Sequence, residues 1–248
     1  MLHYKRVRSH SLVFLSPVNE RIQTIMDISF KIPYFISMFP KILQLFPETI
    51  KVAFWAFFLS LFFALVLAII RQYKIKGLYF LSSVYVSFFR GTPFIGQLFL
   101  FYYGFAQVSK TIRSMSPFTA LIIALSANYC AFMSEDIRAA LNSVEKGQYE
   151  AGLSIGLKPL SVLKRIILPQ AARIAIPGLS NNFISLLKST AIGFMIGYKD
   201  MMAIVSMETS RSYRFLEGYT AAMLLYWGII SLLSYIQTQI EFRLNRIY

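Results

Sequence analysis

The chain has 248 residues, 56% hydrophobic and only 15% charged, with a mean hydropathy of +0.57. Soluble domains carry about 25% charged and roughly 45–50% apolar residues; here the apolar residues gather into long runs, which excludes a soluble globular chain and predicts a multi-pass membrane protein. The net charge of +14 fits basic residues beside an anionic membrane face, and no zinc-finger spacing, basic-region heptad or aromatic RNA-binding box points to a nucleic-acid partner.

Residues 1–26 read as a tail. Lys5, Arg6 and Arg8 precede Ser11–Leu15, an apolar run too short for a signal peptide, and Met26 before Asp27 is a candidate natural start. Residues 27–48 form an interfacial segment in which Pro33, Pro40 and Pro47 oppose one long regular helix. The transmembrane domain is expected over 49–240, followed by a cytoplasmic tail at 241–248.

The first span covers 49–70, with Lys51 able to snorkel to the interface; Arg71, Lys74 and Lys76 make a basic loop after it. A second apolar stretch, 78–105, is interrupted by Arg90, Gly91, Thr92 and Pro93, and Arg90 is expensive in lipid unless paired or facing water. A polar loop with Lys110 and Arg113 leads to a third span at 118–134, which closes in Glu135 and Arg138, spaced to share a helix face. The lone cysteine, Cys130, sits in this apolar segment and reads as a small buried hydrophobe. A cytoplasmic segment covers 139–172. The fourth span, 174–197, holds Asn181, Asn182 and Lys188; a loop at 198–218 precedes the fifth span at 219–240. Regions 71–76, 139–173 and 241–248 carry ten Lys or Arg against five in 106–117 and 198–218, which places the N terminus outside and the C terminus inside. The tail's Lys5, Arg6, Arg8 and Arg21 argue the other way.

The most specific stretch runs from Glu150 to Pro169. It reads as two short helices and a turn: Gly156 can take the left-handed geometry that ends a helix, Pro159 suits the first turn of the next, and Pro169 limits that second helix. Ala151 and Gly152 are small enough for a partner protein's groove to approach closely.

Here the chain resembles the transmembrane subunits of ABC importers for polar amino acids, of the histidine, glutamine and cystine type. These carry a cytoplasmic loop of pattern Glu-Ala-Ala-x3-Gly-x9-Ile-x-Leu-Pro, matched by Glu150, Ala151, Gly156, Ile166, Leu168 and Pro169, with Gly152 in place of the second Ala. Gly keeps the small size at a cost of about 1 kcal/mol in helix stability. The likeness extends over roughly 45–240: Arg90-Gly-Thr-Pro93 with Gln97, Ser134-Glu135 with Arg138, Lys146-Gly-Gln148, and Asn182 to Thr190 stand in the family's order.

The resemblance implies an all-α type I importer permease of about five spans, in the bacterial plasma membrane. It implies two cytosolic ABC ATPase subunits gripping the loop, a second permease subunit, identical or homologous, and an extracellular or periplasmic solute-binding protein. The cargo is an amino acid, cystine or another polar one. ATP and Mg belong to the ATPase; Lys188-Ser-Thr190 lacks the glycine-rich run of a phosphate loop, so this chain is not expected to be an enzyme or to hold a cofactor. No metal site is expected, since the only histidines, His3 and His10, lie in the tail. Two readings stand for Arg90, Gly91, Thr92, Pro93, Gln97, Glu135, Arg138, Asn182 and Lys188: pathway or gating, or structural bends and interhelical pairs. The alternative for the whole chain is a scaffold subunit without its own pathway.

Overall fold

The computed structural model describes residues 29–245, so the tail at 1–26, and the candidate start at Met26, lie outside the described residues. Regular structure among the described residues is entirely helical. The interfacial segment forms a helix, α1 (Ile32–Gln44), which passes through a break at Leu45 into α2 (Phe46–Gln72). Pro33 and Pro47 occupy the first turns of the two helices, where a missing N–H costs nothing. Pro40 lies inside α1 without ending it, and the one division falls at Leu45, just before Pro47.

Helix α2 is the backbone of the fold. Ala56, Ser60, Ala64 and Ala68 recur every fourth residue and are fully or almost fully buried, a stripe of small side chains that admits a neighbour's backbone. The neighbour is α6 (Pro117–Ser143). Ser60 Oγ donates to the Ala56 carbonyl at 2.6 Å and reaches the Ser126 carbonyl at 3.4 Å, while Ser126 Oγ donates back to the Ala56 carbonyl at 3.2 Å. Ser60 thus lies beside Ser126, and Arg71 pairs with Glu135 further along, so the two helices run parallel. Between them stand α3 (Leu78–Gly91), α4 (Phe94–Phe99), two wider or tighter turns over 100–107, and the single turn α5 (Lys110–Arg113). Ser116 caps α6 by accepting from Thr119 N at 3.2 Å, and α6 continues unbroken through Glu135 and Arg138 to Ser143.

A short helix α7 (Lys146–Ser154) and the single turn α8 (Pro159–Val162) follow, then α9 (Leu168–Ser189). Tyr129 meets Ser189 and Asp136 meets Asn182, so α9 runs antiparallel to α6. The expected loop at 198–218 instead contains a helix, α10 (Met201–Ser212), before α11 (Phe215–Asn245). Asp200 starts α10 by accepting from Ala203 N at 2.9 Å, the usual work of an N-cap aspartate. Helix α10 is held because Met201 and Val205 join Met38 and Ile42 of α1 and Ala221, Ala222 and Tyr226 of α11 in a second apolar cluster. Lys41 pairs with Glu208 across it, and Glu217 accepts from Arg214 at 3.2 Å and from Lys31 N at 3.1 Å.

Among the described residues, α2, α6 and α11 are long and apolar enough to cross a membrane alone. The other two expected spans are helical but less uniform: 78–105 is broken near its middle, and α9 carries Arg173 and Lys188.

Candidate coupling foot and pathway

The foot is built as expected at its turn. Gly156 stands at φ +83°, a left-handed conformation that an L side chain adopts only with strain, and the backbone folds back there, Gly156 N to Leu153 O at 2.9 Å and Leu157 N to Gly152 O at 3.2 Å. Pro159 opens α8. The expectation for Pro169 is corrected. The helical path does not stop before it: α8 runs through one π-helical turn, Leu163–Ile167, directly into α9, and Pro169 lies in the first turn of α9. A proline inside a regular α-helix clashes with the carbonyl four residues back and leaves it unpaired. The wider turn relieves that crowding, so the chain keeps its direction.

Gly152 is also corrected. It is buried against its own chain: a Cβ placed there would lie 2.8 and 2.9 Å from the two methyls of Val162 and 3.2 Å from Ile166 Cδ1. Its small size seats α7 on α8 and the π turn, leaving no room there for another protein. The opposite face of the foot is open: Glu150 and Ala151 are exposed, as are Tyr149, Leu153, Ile155 and Leu160. Ile166 turns inward with Gly152, and Leu168 is exposed. A cleft of about 330 Å³ separates this foot from the ends of α2 and α6, with Gln72, Asn142, Tyr149 and Glu150 in its walls.

The break between α3 and α4 lies beside the middle of α6. Thr92 is extended (φ −122°, ψ 149°), and the freed backbone carbonyls need partners in a water-poor setting. Gln97 supplies them: its Nε2 donates to Phe89 O at 3.0 Å, Thr92 O at 3.1 Å and Thr92 Oγ1 at 2.7 Å. Asn128 of α6 then donates to Gln97 Oε1 at 2.9 Å and to Phe89 O at 3.2 Å. Both amides are buried. Arg90, Gly91, Thr92 and Pro93 are exposed, and the Arg90 guanidinium lies 5.6 Å from the centre of the Phe132 ring on α6.

Glu135 and Arg138 pair at 2.7 Å as their spacing predicts, but Arg71 binds the other carboxylate oxygen, Oε1, making a triad with α2. Asn182 donates to Asp136 and to Gly178 O, and Asn181 accepts from Gln237 of α11 at 3.1 Å; both asparagines join helices. Lys188 is exposed in the last turn of α9. Arg71, Asn128 and Asp136 escaped the sequence reading. Arg71 looked like a loop charge, and Asp136 stood next to the more recognisable Glu135. Asn128 alone gave a usable signal, an amide inside an otherwise apolar span.

Residues 61–246 match the family model described as the binding-protein-dependent transport system inner membrane component. The chain is 40% identical over 221 residues to the probable amino-acid ABC transporter permease protein PatM of Vibrio harveyi, covering 89% of this chain and 99% of that one. It is 41% identical over 199 residues to the L-cystine transport system permease protein TcyB of Bacillus subtilis (strain 168), covering 80% and 84%. The crystal structure of an amino acid ABC transporter with histidines superposes with a TM-score of 0.80 at 30% identity, over 87% of this chain and 99% of that one.

Proposed function

The chain belongs to the binding-protein-dependent transport system inner membrane component family, and on that premise we propose that its 150–169 foot receives the ATPase while the face around Arg90 and Lys188 lines the amino acid's path. It is a multi-pass bacterial membrane protein, the permease component of an amino-acid ABC importer, coupled to a separate ATPase. Permease subunits of this family are not catalytic; hydrolysis occurs in the partner ATPase. The family works with ATPase subunits and solute-binding proteins.

The finer assembly is our reading: two ATPases holding ATP and Mg, a second permease chain, and cystine or a similar polar amino acid as cargo. Five spans carry it, α2, α3 with α4, α6, α9 and α11, with the N terminus outside. The parallel course of α2 and α6 and the antiparallel course of α9 support this alternation.

One observation carries the assignment of the foot. Gly152 locks its inner face to Val162 while Glu150, Ala151, Leu153 and Ile155 stay open, and apolar side chains left exposed on a short helix outside the spans mark a protein contact. The test replaces the exposed Ala151 with cysteine, after Cys130→Ala removes the native thiol. A bifunctional thiol reagent should then join residue 151 to the ATPase in the assembled complex. Labelling of that cysteine from outside intact cells by a membrane-impermeant reagent, or crosslinking to no ATPase, would refute the assignment.

A further inference from the structure

Resting on the reading that the foot is cytoplasmic and α9 a span, we infer that the permease carries a site for an anionic phospholipid of the inner leaflet, in a second cleft where the foot meets the membrane. This cleft encloses about 560 Å³, with Gln148 of α7, Arg165 of the π turn, and Pro169, Gln170, Arg173 and Ile174 of α9 in its walls. Positions 169, 170, 173 and 174 are spaced to share one face of α9. The cleft thus opens along that face, at the end where α9 leaves the foot.

No carboxylate lines this cleft among the described residues, whereas the cleft beside α2 and α6 carries Glu145 and Glu150 next to Lys146. Arg165 is exposed, and Arg173 stands eight residues on, about 12 Å along the helical path, so the two arginines border one space from its two ends. Gln170 Nε2 donates one N–H to the Ile166 carbonyl at 3.1 Å and keeps the other to give. Guanidinium groups suit the oxygens of a phosphodiester, which they meet with paired N–H donors. The apolar end of the cleft selects which phosphate. Ile174, 46% exposed, forms the lip toward the span. An acyl chain can lie over that lip while its headgroup stays between the arginines; a soluble anion or an acidic protein surface gains nothing from it. Basic pockets on the cytoplasmic side of a helix bundle hold anionic headgroups by this combination. A headgroup seated here bridges the π turn and the start of α9, so the charge of the lipid bears on how the foot is held.

The permease–ATPase complex, purified in neutral detergent, is titrated with dioleoyl phosphatidylglycerol, dioleoyl phosphatidylcholine and inorganic phosphate, and bound lipid is counted by native mass spectrometry. Phosphatidylglycerol should bind at least about fivefold more tightly than phosphatidylcholine, and inorganic phosphate should not displace it. Arg165→Gln and Arg173→Gln should each weaken it about fivefold and the double variant about 25-fold, the contribution of one basic residue beside an anionic lipid taken once and twice. Lys76→Gln, which removes a basic residue outside the cleft, should bind as wild type does, and retained ATPase shows that a variant is folded. Equal binding of the two lipids, arginine variants that bind as wild type does, or a loss in Lys76→Gln as large as in Arg165→Gln would overturn the site. Displacement by phosphate would make it a soluble-anion site, and loss of the ATPase with lipid binding unchanged would make it an ATPase contact; either result overturns it too. Failure here leaves the cytoplasmic foot standing, since the crosslink at residue 151 tests that separately, whereas labelling of residue 151 from outside the cell would remove both.

Discussion

Gly152→Ala would restore the alanine of the family pattern, yet this structure makes it harmful. The new methyl would sit under 3 Å from both methyls of Val162. Val162 is fully buried, and a β-branched side chain has one strongly preferred rotamer in a helix, so it cannot swing aside. The contact with Ile166 Cδ1 at 3.2 Å is the flexible end of a long side chain and yields easily. Replacing Gly with Ala gains about 1 kcal/mol of helix propensity, while forcing a methyl into a filled contact costs about 1–3 kcal/mol. The seat of α7 on α8 therefore loses up to about 2 kcal/mol, up to roughly 30-fold in its docked population. Hydrogen exchange of the 146–154 amides should quicken in the assembled membrane protein, and ATPase co-purification should fall by a similar factor. Val162→Ala in the same chain opens the space, so the double variant should recover both, with a coupling of at least about 1 kcal/mol across the cycle. Unchanged exchange in Gly152→Ala, or no rescue by Val162→Ala, would refute this packing argument.

Gly156→Val should cost about 1–2 kcal/mol through its positive φ, and, like Glu150→Arg, should lower ATP-dependent uptake and ATPase co-purification while the chain still inserts; blue-native electrophoresis of membranes separates the two effects. Asn128→Leu removes two donors and leaves Gln97 Oε1 unpaired in a buried site, a loss of about 1–3 kcal/mol that should lower the detergent melting temperature, whereas Asn128→Gln should retain part of it. Burial pushes the Asp200 carboxyl up to about 7, against about 3.9 when unfolded. The folded chain then holds a proton that the unfolded chain lacks, so stability falls as pH rises from about 4 through about 7. Melting temperature should drop across that window, and Asp200→Asn, which can still cap α10, should flatten the slope.

The long elements were legible because their signals are local. The apolar runs of α2, α6 and α11, the break at Arg90–Pro93 and the turn at Gly156 each follow from composition or a single residue's backbone preference. What escaped depends on contacts between distant segments. Helix α10 is mixed in polarity and looked like a loop until α1 and α11 are seen closing over Met201 and Val205; its Asp200 cap was the one clue in the chain. Pro169 read as a stop because nothing in the sequence announces a π turn just before it. Gly152 read as a surface for a partner because the residue it touches, Val162, lies beyond a turn. Glu135 and Arg138 were recognisable as a pair three positions apart, whereas Arg71 completes them from another helix.

The unbroken helical path from Pro159 to Ser189 puts the foot and Lys188 at opposite ends of one strut. At about 1.5 Å per residue it is roughly 45 Å long, and it can bend at two places, the π turn at 163–167 and Pro177 inside α9. A displacement imposed at Leu160 therefore reaches Lys188 only after passing these two points, each of which can turn part of a push into a bend. In such a device the wide turn at 163–167 and the proline beyond it set how much of the stroke travels into the span.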